Sequence, residues 1–265
     1  MKFYILTNKK WEDIHGRKWG PGVENLIPDE EFWKIYPDPL LAIFFNRVET
    51  KQNLIQSGII DPVLWEGERD NIRLKTIRQI ELPMLTTEHY IRFGILCVLE
   101  VYREKPFVKW AEDWLSGKDK SIDTAKAVLR WTEEEKYPAK VLAAAEKEAE
   151  ITIMQKVEET LPKSLEEKVL AERAIRMSGW GRQLVANSRR AIQPGVEVAA
   201  TAATYAIRAA LATSWKVWLR ESTSKKHLVY DAATTALRAA GLKGQNLDLI
   251  AIARKAVPEF TDFNK

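Results

Sequence analysis

The sequence has only one cysteine, Cys97, and no long apolar run that is free of charges. A single thiol cannot close an internal disulfide, which excludes a disulfide-stapled secreted scaffold and favours a reducing compartment. The apolar stretch after Met1 ends at Asn8 and is too short for a signal-peptide core, and no segment reaches the ~18 apolar residues that a membrane helix needs. We therefore expect a cytoplasmic protein without a membrane partner.

Alanine is almost missing from the first part of the chain and abundant in the rest. Ala42 is the only alanine before Ala111, whereas residues 202–211 and 232–241 consist largely of alanine. Alanine loses no side-chain entropy in a helix and adds little bulk, so the later part should form closely packed helices. The contrast predicts an α+β protein. We predict a small mixed α/β domain over residues 1–83 and an all-helical domain over 84–265. The helices of the second domain should form a bundle or an array of helical hairpins. A helix over 84–105 should bridge the two domains.

Two patterns divide the first domain into short elements. They are the alternation of side chains along strands and the positions of turn residues. The alternating residues 2–7 predict a strand. Two extended segments, Val63–Glu68 and Ile72–Leu82, predict an antiparallel pair joined at Arg69-Asp70-Asn71. The glycines and prolines of residues 11–28 predict a loop, with a short strand at Val23.

Proline and acceptor side chains mark two helix starts in the same domain. The acidic residues after Pro28 predict a brief helix that runs to Tyr36. Asp38 is suited to cap a helix N-terminus, and Pro39 is suited to its first position. They predict a helix over Leu40–Phe45, for which a strand is the alternative.

The helical domain begins with two well-marked helices. Thr86 or Thr87 caps a buried helix over 88–103, and Pro106 opens a second helix that ends at Gly117. The remaining pattern is helical, with breaks expected at Pro138, Pro162, Pro194, 222–224 and 241–245.

A short alanine-arginine motif recurs at the spacing of a helical hairpin. Residues 206–210 and 236–240 match at a distance of thirty residues, and residues 174–178 lie thirty-two before the first of them. Such spacing is typical of stacked helical pairs. The alternative is coincidence among alanine-rich helices.

Charge is segregated along the helical domain. Residues 133–172 contain eleven acidic and six basic side chains, whereas residues 176–255 contain thirteen basic and four acidic ones. The basic third could attract phosphate, with aromatic residues among its cations, or it could pair with the acidic segment. The candidate nucleic-acid-binding residues are Arg176, Arg182, Arg189, Arg190, Arg208, Lys216, Arg220, Lys225, Lys226 and Arg238.

Five stretches carry a resemblance to a known family: Tyr36–Asn46, Leu64–Glu68, Ile77–Pro83, Phe93–Tyr102 and Phe107–Gly117. In these stretches, over roughly residues 1–120, the chain resembles uncharacterised phage- and prophage-encoded proteins with a small N-terminal α/β domain and an alanine-rich helical C-terminal region. The resemblance implies a phage or mobile-element origin, and hence the host cytoplasm, but no established activity. Relatives usually carry a histidine where Asp38 stands, which argues against a catalytic role for that position.

The histidines and the cysteine do not have the spacing of a catalytic or metal-binding site. His89 and Cys97 lie eight residues apart on one predicted helix, so their backbones are ~12 Å apart, too far for a Cys-His nucleophilic pair. We expect Cys97 to be a core residue and His89 a polar residue in a first helical turn. His15 and His227 lack neighbouring ligands at zinc spacing, so no metal site and no cofactor are expected.

Two further motifs have a functional and a structural interpretation. Glu66-Gly67-Glu68 resembles the paired glutamates of ADP-ribosyltransferases, and its alternative is a solvated strand face. The glycines of residues 16–22 could hold a phosphate, but they lack the spacing and helix context of a P-loop and predict a structured turn. Trp19 within that turn is a candidate exposed binding residue.

The sequence therefore favours a non-enzymatic accessory protein that binds or scaffolds a macromolecule through its helical domain. Its partner is a protein or a second copy of the chain. Direct nucleic-acid binding by residues 176–255 is the alternative, and an enzyme using Glu66 and Glu68 is a minor one.

Overall fold

The computed structural model of the chain describes residues 1–27, 35–46, 59, 61–136, 151, 155, 194–214 and 225–260. It has an α+β architecture, with a four-stranded antiparallel sheet near the N-terminus followed by helices. The described strands are β1 (Lys2–Thr7), β2 (Glu24–Leu26), β3 (Val63–Asp70) and β4 (Arg73–Ile80). The described helices are α1 (Pro39–Phe44), α2 (Thr87–Leu99), α3 (Lys105–Leu115), α4 (Ile122–Lys136), α5 (Pro194–Ser214), α6 (Lys225–Leu242) and α7 (Leu249–Ala256).

The sheet has the order β1-β3-β4-β2, and every neighbouring pair is antiparallel. β3 and β4 form the predicted hairpin, in which Leu64 pairs with Ile80 and Glu66 with Arg78. The register shifts after Glu66, so that Gly67 faces Thr76 and Ile77 is passed over. This bulge lies in β4, next to the only glycine of β3.

Alternate residues of each strand point to opposite sides of the sheet, and each side contributes to a hydrophobic cluster. On one side Phe3, Ile5 and Trp65 pack with Trp19 of the loop after β1. On the other side Tyr4, Leu6, Leu64 and Ile80 join the large cluster formed with the helices.

One buried carboxylate organises the loop between β1 and β2. Asp13 accepts hydrogen bonds from the backbone N–H groups of His15 and Arg17, at 2.8 and 3.0 Å, and from the indole N–H of Trp19 at 3.1 Å. The prediction that Trp19 is exposed is therefore wrong: its side chain is 1% exposed, and Trp11 is the exposed tryptophan of this loop. Glycine is needed in this turn, since Gly16 and Gly22 adopt φ of +79° and +77°.

The small residues of the helical part allow close contacts between helices. α5 packs along α6, and α2 crosses both. At the crossing with α6, Gly94 of α2 lies against Val229 and Ala232. The alanine-arginine motifs of residues 206–210 and 236–240 lie on the packed pair α5 and α6, while the third, at 174–178, lies outside the described residues.

The large hydrophobic cluster includes residues from both sides of position 83, from Leu6 and Phe44 to Phe93, Ala203 and Ala236. The sheet and the helices thus share one core in the described part of the chain. The division into domains 1–83 and 84–265 stays a prediction.

Most of the predicted boundaries that fall within the described residues are confirmed, with small differences, while the breaks predicted at Pro138, Pro162 and 222–224 lie outside those residues. The helix predicted over 88–103 ends at Leu99, and the strand predicted over 72–82 ends at Ile80. Asp38 caps α1 through Leu40 N–H at 2.8 Å, so the helix interpretation of this run is confirmed and the strand alternative is wrong. The helix predicted to run from Pro28 falls largely outside the described residues, and at its end Tyr36 forms a β-bridge with Tyr4.

Candidate binding cleft

A mostly apolar cleft lies between α1, α6 and α7, with a volume of about 490 Å³. Small-molecule and anchor-residue sites in proteins typically have volumes in the range of ~300–1,000 Å³. We call this feature the α1–α6–α7 cleft. Its lining residues are Tyr36, Pro37, Leu41, Phe45, Tyr230, Thr234, Leu237, Leu247, Asp248, Leu249 and Ile250.

Stacked aromatic rings form one wall of the cleft. The rings of Tyr36 and Phe45 are nearly parallel, with centroids 5.8 Å apart, and Tyr230 meets Phe45 edge to face at the same distance. Phe45 also meets Phe93 edge to face, which links the wall to the core. Rings held by such contacts from several sides form a preorganised surface, because little rotamer freedom remains to be lost on binding.

The backbone holds Tyr36 in place. Its carbonyl accepts a hydrogen bond from Tyr4 N–H at 2.7 Å, and its own N–H donates to the Tyr4 carbonyl at 3.0 Å. Burial raises the pKa of the Tyr36 phenol, and the nearby phenol of Tyr230 adds to the rise. Tyr36 is therefore uncharged at neutral pH.

An ion pair joins the two sides of the cleft at the start of α1. Arg254 of α7 donates to the Oδ2 atom of Asp38 at 3.1 Å, while Oδ1 of the same carboxylate caps α1. Asp38 is 3% exposed, so the pair also supplies the partner that a buried carboxylate needs.

Asp248 is the one charged residue that lines the cleft among the residues the structure describes. It is the N-cap of α7, where Oδ1 accepts a hydrogen bond from Ala251 N–H at 2.9 Å. Its side chain is exposed. Thr234 of α6 also lines the cleft. Its hydroxyl donates a hydrogen bond to the Tyr230 carbonyl of the same helix at 2.8 Å.

The structure brings together few of the ten candidate nucleic-acid-binding residues. Arg208 donates to Glu133 of α4 at 2.7 Å, and the Lys226 ammonium lies over the Tyr90 ring, 4.7 Å from its centroid. Arg238 is exposed, and Lys225 is the first residue of α6. The other six lie outside the described residues: Arg176, Arg182, Arg189, Arg190, Lys216 and Arg220.

Glu133 opens the acidic segment, so the contact with Arg208 is an instance of pairing between the acidic and basic segments. Lys226 is half-buried, and burial lowers its pKa. Two of the described cations are thus engaged with other side chains.

The glutamates of β3 lie in different environments. Glu66 is buried and binds Lys2 through Oε1 and Arg78 through Oε2, each at 2.7 Å, whereas Glu68 is exposed. Burial opposes the ionisation of Glu66, but hydrogen bonds and attraction from Lys2 and Arg78 together hold its pKa below the usual value. The expectation of a solvated strand face is therefore wrong for Glu66, because this side chain is buried and is bound by Lys2 of β1 and Arg78 of β4.

His89 and Cys97 have structural environments. The His89 Nδ1 atom accepts a hydrogen bond from Thr86 N–H at 3.1 Å, which completes a capping box at the start of α2. Its Nε2 atom lies 2.6 Å from a carboxylate oxygen of Glu259. Cys97 is fully buried, and burial raises the pKa of its thiol. The described ranges contain no group of three side chains placed to hold a metal ion.

Sequence reasoning did not find the cleft. Its residues come from three segments of the chain, and Tyr36, Leu237 and Asp248 follow no shared motif. The one local signal was the prediction of a helix after Asp38, which places Leu41 and Phe45 correctly but says nothing of what faces them.

Comparison with known proteins found no matching family model, no matching curated protein and no matching solved structure. Among the helices that the structure describes, none is both long enough and apolar enough to cross a bilayer.

Proposed function

We propose that this chain is a non-enzymatic accessory protein of phage or mobile-element type, which acts in the host cytoplasm by binding a protein partner. The partner inserts an apolar segment into the α1–α6–α7 cleft. The observation that carries the proposal is the preorganised aromatic wall in a cleft that leucines of α6 and α7 also line. The phage origin depends on the sequence resemblance in residues 36–117.

The composition of the cleft suits a protein segment. Tyrosine and phenylalanine are enriched at the centres of protein interfaces, where a few inserted side chains supply most of the binding energy. Tyr36 and Tyr230 combine broad ring surfaces with hydroxyl groups, and Leu237 and Leu249 add apolar area to the same lining. An apolar side chain that enters the cleft is therefore transferred from water to an apolar environment.

The groups considered for catalysis have structural roles, which supports a non-enzymatic function. Glu66 forms ion pairs with Lys2 and Arg78, His89 caps α2, and Cys97 is enclosed in the core. A nucleophile must reach its substrate, and a buried thiol with a raised pKa is a poor one.

A pair of leucine variants tests the proposal. Leu237→Glu places a carboxylate in the cleft, while Leu242→Glu makes the same change on the same helix at a residue that is 51% exposed and does not line the cleft. Short random peptides would be selected on immobilised wild-type protein alone, and each selected peptide would then be titrated against both variants.

The proposal requires selected peptides with apolar anchors that bind wild-type and Leu242→Glu protein alike. Leu237→Glu should weaken binding by at least about tenfold, or ~1.4 kcal/mol, because a charge then blocks burial of the anchor. Circular dichroism of both variants checks that each is folded. If no selected peptide distinguishes folded Leu237→Glu from wild type, the proposal is wrong.

Nucleic-acid binding by residues 176–255 is the second candidate, and the exposed Arg238 on α6 favours it. Binding of a random-sequence DNA duplex would then weaken steeply as salt rises, because phosphate contacts release counterions. Neutralising Arg189, Arg190, Lys225 and Lys226 should reduce that salt slope. No shift of the DNA in a low-salt mobility assay would exclude this candidate.

A further inference from the structure

We infer that the segment bound in the α1–α6–α7 cleft carries a lysine or arginine that pairs with Asp248. This inference rests on the proposed function and narrows it, because it states the chemistry of the partner: apolar anchor residues with one cation beside them.

The charge distribution around the cleft carries the inference. Asp38, the N-cap residue of α1, and Arg254 of α7 form an ion pair with each other. Asp248 is left as the single formal charge on the described lining, and it is negative. An apolar segment with a cation at the matching position is complementary to this surface, whereas a segment with an acidic residue there is repelled.

The geometry of Asp248 leaves room for a second interaction. One carboxylate oxygen, Oδ1, caps α7, and within the described part of the chain Oδ2 has no ion pair or hydrogen bond. A carboxylate can accept several hydrogen bonds, so an ammonium or guanidinium group can bind Oδ2 while the cap is kept. The adjacent apolar residues Leu247 and Leu249 would contact the aliphatic stem of such a side chain.

Asp248→Asn is a sharp test because asparagine caps helices about as well as aspartate. The variant keeps an acceptor for Ala251 N–H and replaces the other carboxylate oxygen by an uncharged NH2 group, which cannot accept from a cation. Glu112→Gln is its matched control, since it also removes one negative charge, at an exposed position of α3 outside the lining. Both variants would be titrated with the peptides selected on the wild-type protein, at low and moderate salt.

The inference requires a lysine or arginine at a fixed spacing from the apolar anchors of the selected peptides. Asp248→Asn should reduce their affinity by about two- to fivefold at low salt and flatten its salt dependence, while Glu112→Gln should not reduce it. Replacing the peptide cation by glutamine should give the same loss on wild-type protein and no further loss on Asp248→Asn.

The outcomes separate this inference from the proposed function. If Leu237→Glu abolishes binding but Asp248→Asn binds like wild type at both salt concentrations, the inferred pairing of a peptide cation with Asp248 is wrong. The cleft then remains the binding site. If Leu237→Glu also leaves binding unchanged, both proposals fail.

Discussion

Arg254 binds Asp38 across 216 residues of sequence, with its Nη2 atom 3.1 Å from Oδ2 of the aspartate. The contact ties α7 to the N-cap residue of α1, beside the α1–α6–α7 cleft. The same carboxylate caps α1 at 2.8 Å, so one side chain fixes both the start of a helix and its position against another helix.

Replacement of Asp38 should separate these two roles. Asp38→Asn retains an acceptor for Leu40 N–H but loses the charge, and we expect the free energy of unfolding to fall by about 1–3 kcal/mol. Asp38→Ala also loses the cap and should fall by about 1 kcal/mol more. Urea unfolding monitored by circular dichroism measures both. A double-mutant cycle with Arg254→Gln should give a coupling of at least about 0.5 kcal/mol, and additive losses would contradict the ion pair.

Glu66 should make stability depend on pH in acid. Its pKa is lower in the folded protein than in the unfolded chain, so its contribution is complete above the unfolded value of about 4.3 and is lost as pH falls through the folded pKa. Glu66→Gln should therefore be less stable than wild type by about 1–2 kcal/mol at pH 7. This difference should shrink below pH ~4, where wild-type Glu66 also becomes neutral. Urea unfolding at a series of pH values measures it.

Glu68→Gln is the control for this experiment, because Glu68 lies on the same strand and is exposed. Its stability should differ from wild type by less than about 0.5 kcal/mol throughout the pH series. Equal pH profiles for Glu66→Gln and wild type would show that the contacts with Lys2 and Arg78 do not stabilise the fold.

Two buried glycines should respond in opposite ways to alanine. At Gly67 a Cβ atom would overlap the Phe3 ring and the Lys75 carbonyl, so Gly67→Ala should destabilise the protein by more than about 2 kcal/mol. At Gly94 the nearest atom is Val229 Cγ1 at 3.5 Å, an ordinary contact. Gly94→Ala should be neutral or stabilising by up to about 1 kcal/mol, because alanine favours a helix. Thermal unfolding compares them, and equal losses would contradict this packing.

Cys97 should be unreactive in the native protein. The side chain is fully buried, so a reagent cannot reach the sulfur atom. Burial also raises the pKa of the thiol, so the reactive thiolate does not form at neutral pH. A colorimetric thiol reagent should react with the native protein at least about tenfold more slowly than with protein unfolded in guanidinium chloride. Rapid reaction of the native protein would contradict the burial of this residue.

Local signals predicted the elements well where a few neighbouring residues decide the structure. Asp38-Pro39 predicted the start of α1, and the choice of Thr86 or Thr87 predicted that of α2, where Thr86 is the cap. Gly117, which has φ of +79°, predicted the end of α3 to within two residues. The same reasoning failed for Trp19, because the burial of that indole depends on Asp13 and on the face of a sheet formed by distant strands. Glu66 was misjudged for the same reason, since Lys2 and Arg78 reach it from two other strands.

Sequence patterns predicted the α+β class, the antiparallel hairpin and several of the described helix ends, because alternation, caps and alanine content act within a few residues of each other. Only the tertiary structure decided which charges meet and where a cleft opens. Asp38 and Arg254, or Tyr36 and Tyr230, are brought together by the packing of α1 against α6 and α7, and no local pattern encodes that packing. Residues 36, 230 and 248 share a site because a common hydrophobic core draws their separate segments to one surface.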